Sequence, residues 1–275
     1  MPFISVIVPT FNRVAALARC LDALRAQTLP RAQYELIVVD DGSMDGTSDW
    51  LGQQGDVCVV RTAHRGAAAA RNAGARAALG DALAFTDDDC VAPSDWLCCM
   101  SDALNGYDVV GGRIVNAARD NVFAATAQVI LDALMDELNA NLRNGGMLTS
   151  NNIAYRRAAF ETAGGFDERY TVGGEERDLN YRLWRSGARL CFAPHVVVQH
   201  HASPTMRQFL AQQFAYGRGA YRFYHQTPPP ARLPLAFYRR LSARAHGPAQ
   251  LACLFLSQCA VVCGYLSLAM RWTRD

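Results

Sequence analysis

The stretch DALAFTDDDC, residues 81–90, sets a short apolar run directly in front of three successive carboxylates. A run this short, closed by turn-forming residues, predicts a buried strand and not a helix. Ionising Asp87, Asp88 and Asp89 side by side is costly, so a cation or a set of donors must offset their repulsion. In an extended segment Asp87 and Asp89 point the same way, and hard oxygen ligands of that kind suit Mg2+ or Mn2+. The same residues would also serve as an acidic turn or helix cap before PSDWL (93–97).

Upstream the same pattern recurs. ISVIVPT (4–10) is a β-branched run ended by Pro9, followed by a helical stretch with Leu17, Leu21 and Leu24 on one face. YELIVVDDGS (34–43) and VCVVRT (57–62) read as further strands, and GAAAARNAGARAALG (66–80) as a helix bounded by Gly66 and Gly80. Strand and helix alternating in this way predict a mainly parallel sheet covered on both faces. Ligands of such sheets gather at the carboxyl ends of the strands. Thr10 with Asn12, Asp40 with Asp41, and the three aspartates at 87–89 each follow a strand, so they should meet on one rim. A carboxylate at 40 or 41 can accept a hydrogen bond from a nucleobase imide or a ribose hydroxyl, while Gly42 lets the chain turn closely; the segment would also serve as a plain tight turn. Arg71 offers a guanidinium to a diphosphate, or else lies on the surface of an Ala-rich helix.

Downstream, GGRIV (111–115) reads as a strand, residues 121–142 as a long helix and SNNIAYRR (150–157) as strand into helix. GEERDLNYRLWRSG (174–187) is an amphipathic helix with Glu175, Glu176 and Asp178 crowding its first turn, where the helix dipole favours acids. VVVQHH (196–201) precedes a helix over about 205–224, and QTPPPARLP (226–234) reads as a stiff linker.

A chain of 275 residues, 51% of them hydrophobic, can bury a full core. Its net charge of +2 is uneven: beyond residue 200 nine arginines face Asp275 alone, leaving that part at +8 and the first 200 residues at −6. An acidic body argues against a nucleic-acid-binding body, and a basic tail points to anionic lipid or phosphate, or else is a solvated helical face. The nine cysteines, with no CxxC pair and no histidine at finger spacing, read as small apolar residues of a reducing compartment. Residues 249–270 carry no charge and are flanked by RRLSAR and RWTR, so this segment is expected to contact a membrane, spanning it or lying in it, or to pack on the fold.

Taken in order, SVIVPTFN, VVDDGS, ARNAG, TDDDC, GGFDERY and GEERDL resemble glycosyltransferase family 2 over about residues 3–202. That resemblance implies an inverting, nucleotide-sugar-dependent enzyme of the GT-A fold, an α/β architecture with a mixed, mainly parallel sheet and here a helical C-terminal extension. It implies a transferase domain over 1–225, divided into a nucleotide-binding half (1–115) and an acceptor and catalytic half (116–225), with 226–275 as the extension. Pro9, Thr10, Asn12, Asp40 and Asp41 would hold the nucleotide, with Arg71 near the base or the phosphates and Asp88 beside them. Asp87 and Asp89 match the acidic positions of the family's DxD motif, Asp89 being the direct ligand of Mn2+ or Mg2+. Asn152 would stand near the sugar, and Gly111 and Gly112 would line the pocket.

The family's base aspartate falls on Glu176, a longer arm with the same chemistry, which leaves Glu175 and Asp178 as alternatives. His200, or its neighbour His201, would reach the metal or the diphosphate. The implied donor is UDP- or dTDP-linked, the acceptor a glycan or lipid-linked hydroxyl, and the location cytoplasmic, at the inner face of the membrane if the tail docks. A nucleotidyltransferase would need a Gly-rich basic loop after the first strand, and a dinucleotide oxidoreductase GxGxxG; PTFNRVAAL (9–17) carries neither. A non-catalytic nucleotide-sugar-binding or membrane scaffold module stays open because the base position departs from the pattern.

Overall fold

The computed structural model describes residues 2–170, 173–225 and 233–272, with backbone only at 271 and 272. The four runs of the first half form β1 (Ile4–Thr10), β2 (Tyr34–Asp40), β3 (Cys58–Arg61) and β4 (Ala82–Phe85), linked by α1 (Val14–Arg25), α2 (Thr47–Leu51) and α3 (Ala67–Ala77). All four strands are parallel, in the order β3-β2-β1-β4. Because side chains alternate across a strand, Ile4, Val6 and Val8 pack with Leu17, Leu21 and Leu24 of α1. Ile7 faces the other way, into a layer that includes Ala70 and Ala73 of α3. The small residues of α3 permit the tight packing their sequence suggests: a Cβ on Gly74 would lie 2.5 Å from Ile7 Cγ2.

The second half adds β5 (Cys90–Val91), α4 (Trp96–Ala103), β6 (Val109–Asn116), α5 (Val122–Leu138), β7 (Ile153–Arg156), α6 (Arg157–Thr162), α7 (Glu175–Arg185) and β8 (Leu190–His200). β7 runs antiparallel between β4 and β6, while β8 lies parallel to β6 and antiparallel to β5, completing the order β3-β2-β1-β4-β7-β6-β8-β5. The sheet is therefore mixed, as expected. Trp96, Leu97 and Met100 of α4 extend the first core layer; Leu179 and Leu183 of α7 join Phe85, Tyr155, Phe160 and Phe166 in the second.

The C-terminal part comprises α8 (Met206–His225), α9 (Leu235–Ala243) and α10 (Pro248–Trp272). α10 packs lengthwise on α8 and on α5, and α9 also packs on α5. Residues 226–232, most of the expected linker and the expected domain boundary, lie outside the described residues.

The β6–β8 register shifts between Gly112 and Arg113, where β8 steps from Ala193 to Val197 and so carries the extra residues, and Gly112 packs against that bulge. A Cβ on Gly112 would lie 2.2 Å from the Val196 carbonyl and 2.4 Å from Asn152 Nδ2; one on Gly111 would meet Leu148. Both glycines are thus positions where a side chain would be overpacked. Gly112→Ala should destabilise the protein by about 2–3 kcal/mol through overpacking, read as a lower urea midpoint at unchanged m-value.

Candidate active site

Three loops converge because β1 lies between β2 and β4. Thr10 ends β1 and donates from Oγ1 to Asp88 Oδ2 at 2.7 Å, a buried contact across to the loop after β4. Asn12, in a left-handed conformation (φ 54°), clips the other side: its N–H donates to Ser43 Oγ and its Oδ1 accepts from Met44 N–H, at 2.8 and 2.7 Å. Pro9 is half-buried inside β1, opposite Val39.

The two aspartates after β2 divide the work. Asp40 accepts from Ser43 N–H at 2.9 Å and from the Ser48 hydroxyl. Burial raises its pKa, but the donors from Ser48 and Ser43 outweigh that and hold it below the usual carboxylate value. It organises the DDGS turn. Asp41 takes Thr62 Oγ1 (2.6 Å), Arg65 N–H (2.9 Å) and Gly66 N–H (2.8 Å), so it sets the approach to α3. Beside it Phe11 and His64 stack with centroids 4.0 Å apart, and His64 Nδ1 lies 3.2 Å from the Asp41 carbonyl.

After β4 the chain does not stay extended. Cys90 N–H donates to the Asp87 carbonyl at 3.1 Å, closing a turn, so the alternation that would aim Asp87 and Asp89 the same way is lost. This corrects the expectation of two parallel ligands. Asp87 pairs with Arg71, Oδ1 to NH2 at 2.6 Å. Asp89 pairs instead with His200, Oδ1 to Nε2 at 3.2 Å, because β5 and β8 place Cys90 opposite His200. His201 contributes its backbone N–H to the Asp89 carbonyl, at 2.8 Å.

Arg13, which sequence reasoning did not single out, spans Asp88 (3.2 Å) and Asp89 (2.7 Å). Burial opposes the ionisation of both carboxylates. At Asp88 it prevails over Arg13 and Thr10 and raises the pKa to about 6; at Asp89 the donor and charge of His200, with Arg13, prevail and lower it to about 2. His200 rises in return: burial opposes its charge, but Asp89 outweighs that.

Arg71 links this cluster to the start of α7. It is 4% exposed and forks between Asp87 and Glu175, with NH1 to Glu175 Oε1 at 2.8 Å. Glu175 is equally buried, and its Oε2 has no partner among the described residues. Glu176 stands next to this pair, half-buried; burial first, then the charge of Glu175, raise its pKa to about 8. Asp178 is engaged elsewhere: Oδ2 takes Arg182 at 2.8 Å, and Arg182 in turn bonds the carbonyls of Ala163 and Gly165. Asn72, one residue beyond Arg71, binds Phe166 in both directions (2.8 and 3.0 Å), which explains why ARNAG and GGFDERY belong together. Arg71→Ala would leave buried Glu175 without its cation and should cost about 3 kcal/mol or more, read by urea unfolding.

Asn152 does not face this site. It is fully buried, with Oδ1 accepting from Trp96 Nε1 (2.9 Å) and Nδ2 donating to the Arg113 and Val196 carbonyls (2.8 and 2.9 Å). Its amide is saturated by protein, which corrects its placement beside the sugar.

The donor set accommodates a divalent cation. Asp89, Cys90 and His200 each offer an atom within 4.8 Å of the others. Cys90 is 1% exposed and burial pushes its thiol well up, so the carboxylate and the imidazole are the donors suited to a hard or borderline ion.

An acidic and imidazole cluster thus lies at the carboxyl end of a mixed sheet, beside a buried arginine that reaches a helix N-terminus, and the fold is that of the GT-A glycosyltransferases. The family model described as Glycosyl transferase family 2 matches residues 5–164, and the chain belongs to that family. Glycosyltransferase AglE of Haloferax volcanii is 30% identical over 226 residues, 80% of this chain and 73% of that protein. The pre-mycofactocin glycosyltransferase of Mycobacterium tuberculosis is 31% identical over 234 residues, 79% of this chain but 46% of that relative's length. Among solved structures, the mannosyltransferase PcManGT from Pyrobaculum calidifontis, in complex with GDP-Man and Mn2+, superposes with TM-score 0.65 at 23% identity, covering 94% of this chain and 74% of that one. S. aureus TarS 1-349 in complex with UDP gives 0.61 at 17% identity, covering 98% and 91%.

Proposed function

We propose that the protein transfers a sugar from a nucleotide-diphosphate donor to an acceptor hydroxyl in one displacement, with inversion and with a divalent metal. The observation that carries the reading is a pair of contact sets meeting at the loop after β4: His200 holds Asp89, and buried Arg71 holds Asp87 and Glu175, beside which Glu176 stands, so a cation-binding end and a proton-accepting end lie on the same loop.

Asp89 and His200 would hold Mn2+ or Mg2+, which when bound supplies positive charge to the diphosphate leaving group. Arg13, half-exposed beside them, can turn its guanidinium to the same phosphates. Asp41 with the Phe11–His64 stack offers a hydrogen-bond acceptor and a flat face to a nucleobase. Glu176, as the base, takes the proton of the attacking hydroxyl while Glu175 is kept in place by Arg71. Two carboxylates flanking a bond and working with water would mark a glycosidase; here one end of the site is built for a diphosphate.

UDP- and dTDP-sugars remain the first donors to test, and the GDP-Man bound in PcManGT adds GDP-mannose to the panel. Nine free thiols suit the cytoplasm. A lipid-linked or cell-surface glycan acceptor fits the apolar C-terminal segment, since residues 248–270 form a helix long and apolar enough to cross a membrane.

A thermal-shift panel of UDP-, dTDP- and GDP-sugars with and without Mn2+ tests the donor half. A ligand at a hundredfold its Kd adds about 2.7 kcal/mol, so the right donor should raise Tm by several degrees, and more with the metal. No shift with any of them overturns the reading; binding without turnover leaves the non-catalytic module.

A further inference from the structure

We infer that α10 is an in-plane membrane anchor: its outer face lies half-sunk in an anionic bilayer, and the helix neither spans the membrane nor serves as a solvated core helix. Between residues 251 and 266 every exposed position is apolar, including Leu251, Phe255 (69% exposed), Leu256, Val262 (55% exposed) and Leu266. These positions recur every three to four residues along about 23 Å of helix. Gln250 and Ser257 point the other way, 5% exposed and fully buried, while Gln258 and Ser267 are partly buried at the flank. The first two are satisfied locally, Gln250 Oε1 by His246 N–H (2.6 Å) and Ser257 Oγ by the Leu254 carbonyl (2.7 Å). A helix shaped for water carries the reverse pattern. Only about a fifth of its apolar window (22%) is buried inside the protein.

The inner face decides between lying on the membrane and crossing it. A Cβ on Gly264 would fall 1.9 Å from the Phe214 carbonyl of α8, and one on Gly217 of α8 would fall 2.0 Å from the Val261 carbonyl of α10. Backbone meets backbone at this crossing, so α10 cannot leave α8 without opening the closest helix contact in the C-terminal part. Held along its length, it can sink only by the depth of one apolar face, about 5–10 Å.

Charge selects the occupant. From residue 201 to residue 274 the chain has nine arginines and no Asp or Glu; Arg240 and Arg244 pair with Glu137 and Asp136 of α5, and the excess of the remaining arginines favours an anionic lipid surface. The opposite edge of α8 abuts the start of α7: Gly219 packs on the Gly173 carbonyl and Tyr216 covers Gly173, two residues before Glu175.

The test is co-sedimentation of the full chain with vesicles of phosphatidylcholine and phosphatidylglycerol, against phosphatidylcholine alone, at low and high salt. At least tenfold stronger partition onto the anionic vesicles, weakened by salt and removable by an alkaline carbonate wash, is expected. The double variant Phe255→Glu, Val262→Glu should lose that partition at least tenfold, with donor hydrolysis and Tm unchanged. Resistance to the carbonate wash would mean a spanning helix and overturn the inference. So would failure to bind anionic vesicles, or a stable dimer in light scattering that the double variant converts to monomer without any vesicle binding.

Discussion

Asp89→Ala should lower sugar transfer by about a thousandfold, the order expected when several kcal/mol of charge stabilisation are withdrawn from a leaving diphosphate. The carboxylate is set up for this task. His200 and Arg13 hold its pKa at about 2 against the opposing effect of burial, so it stays ionised at any working pH. The variant should fold, because Arg13 keeps Asp88 as a partner and the β5–β8 pairing that positions this loop is made by backbone. Loss of Mn2+ binding, read from the free-ion signal in electron paramagnetic resonance, should accompany the loss of activity. His200→Ala should weaken the metal in the same direction but by less, since a water can replace a neutral ligand more readily than an anionic one. Full activity of Asp89→Ala, or of the native protein in excess chelator, would remove the metal from the mechanism.

The rim of the sheet was legible in the sequence because each strand of the first half is a short apolar run closed by polar turn residues, and parallel order brings those ends together. The same reading failed where position depends on pairing across the sheet. Asp87 and Asp89 diverge because one backbone hydrogen bond turns the chain at Cys90, which spacing alone does not encode. Arg13 reaches Asp88 and Asp89 because β1 and β4 are neighbours; its signal was present in TFNR, directly after β1, but gains meaning only from strand order. Asn152 was misplaced for the opposite reason. A polar side chain in a strand suggests a ligand, whereas here the bulge in β8 opposite Gly112 and Arg113 leaves carbonyls of Arg113 and Val196 that need a buried donor. The helix α7 was legible to its ends, yet the roles within its first turn were not, since they depend on which carboxylate Arg71 meets.

That first turn gives the second large effect. Glu176→Gln should retain donor binding and lose transfer by about 10²–10⁴-fold, the usual span for removal of a general base. The pH dependence discriminates between the two glutamates. Burial and the charge of Glu175 raise the Glu176 pKa to about 8, and a base works only when deprotonated. In the native protein kcat/KM should therefore climb with pH and level off above about 8. Glu175→Gln removes the repelling charge and leaves Arg71 shared between Asp87 and Glu176, so this limb should move to lower pH while activity persists. If Glu175 were the base, that substitution would abolish transfer and Glu176→Gln would merely shift the limb. Stability gives an independent check. A carboxyl whose folded pKa is raised binds its proton more tightly in the native state, so its contribution is fully present below the unfolded value of about 4.5 and is lost as pH rises toward 8. Glu176→Gln should flatten that decline in urea unfolding across this window, whereas an unchanged slope would mean that Glu176 is not held in the environment its chemistry requires.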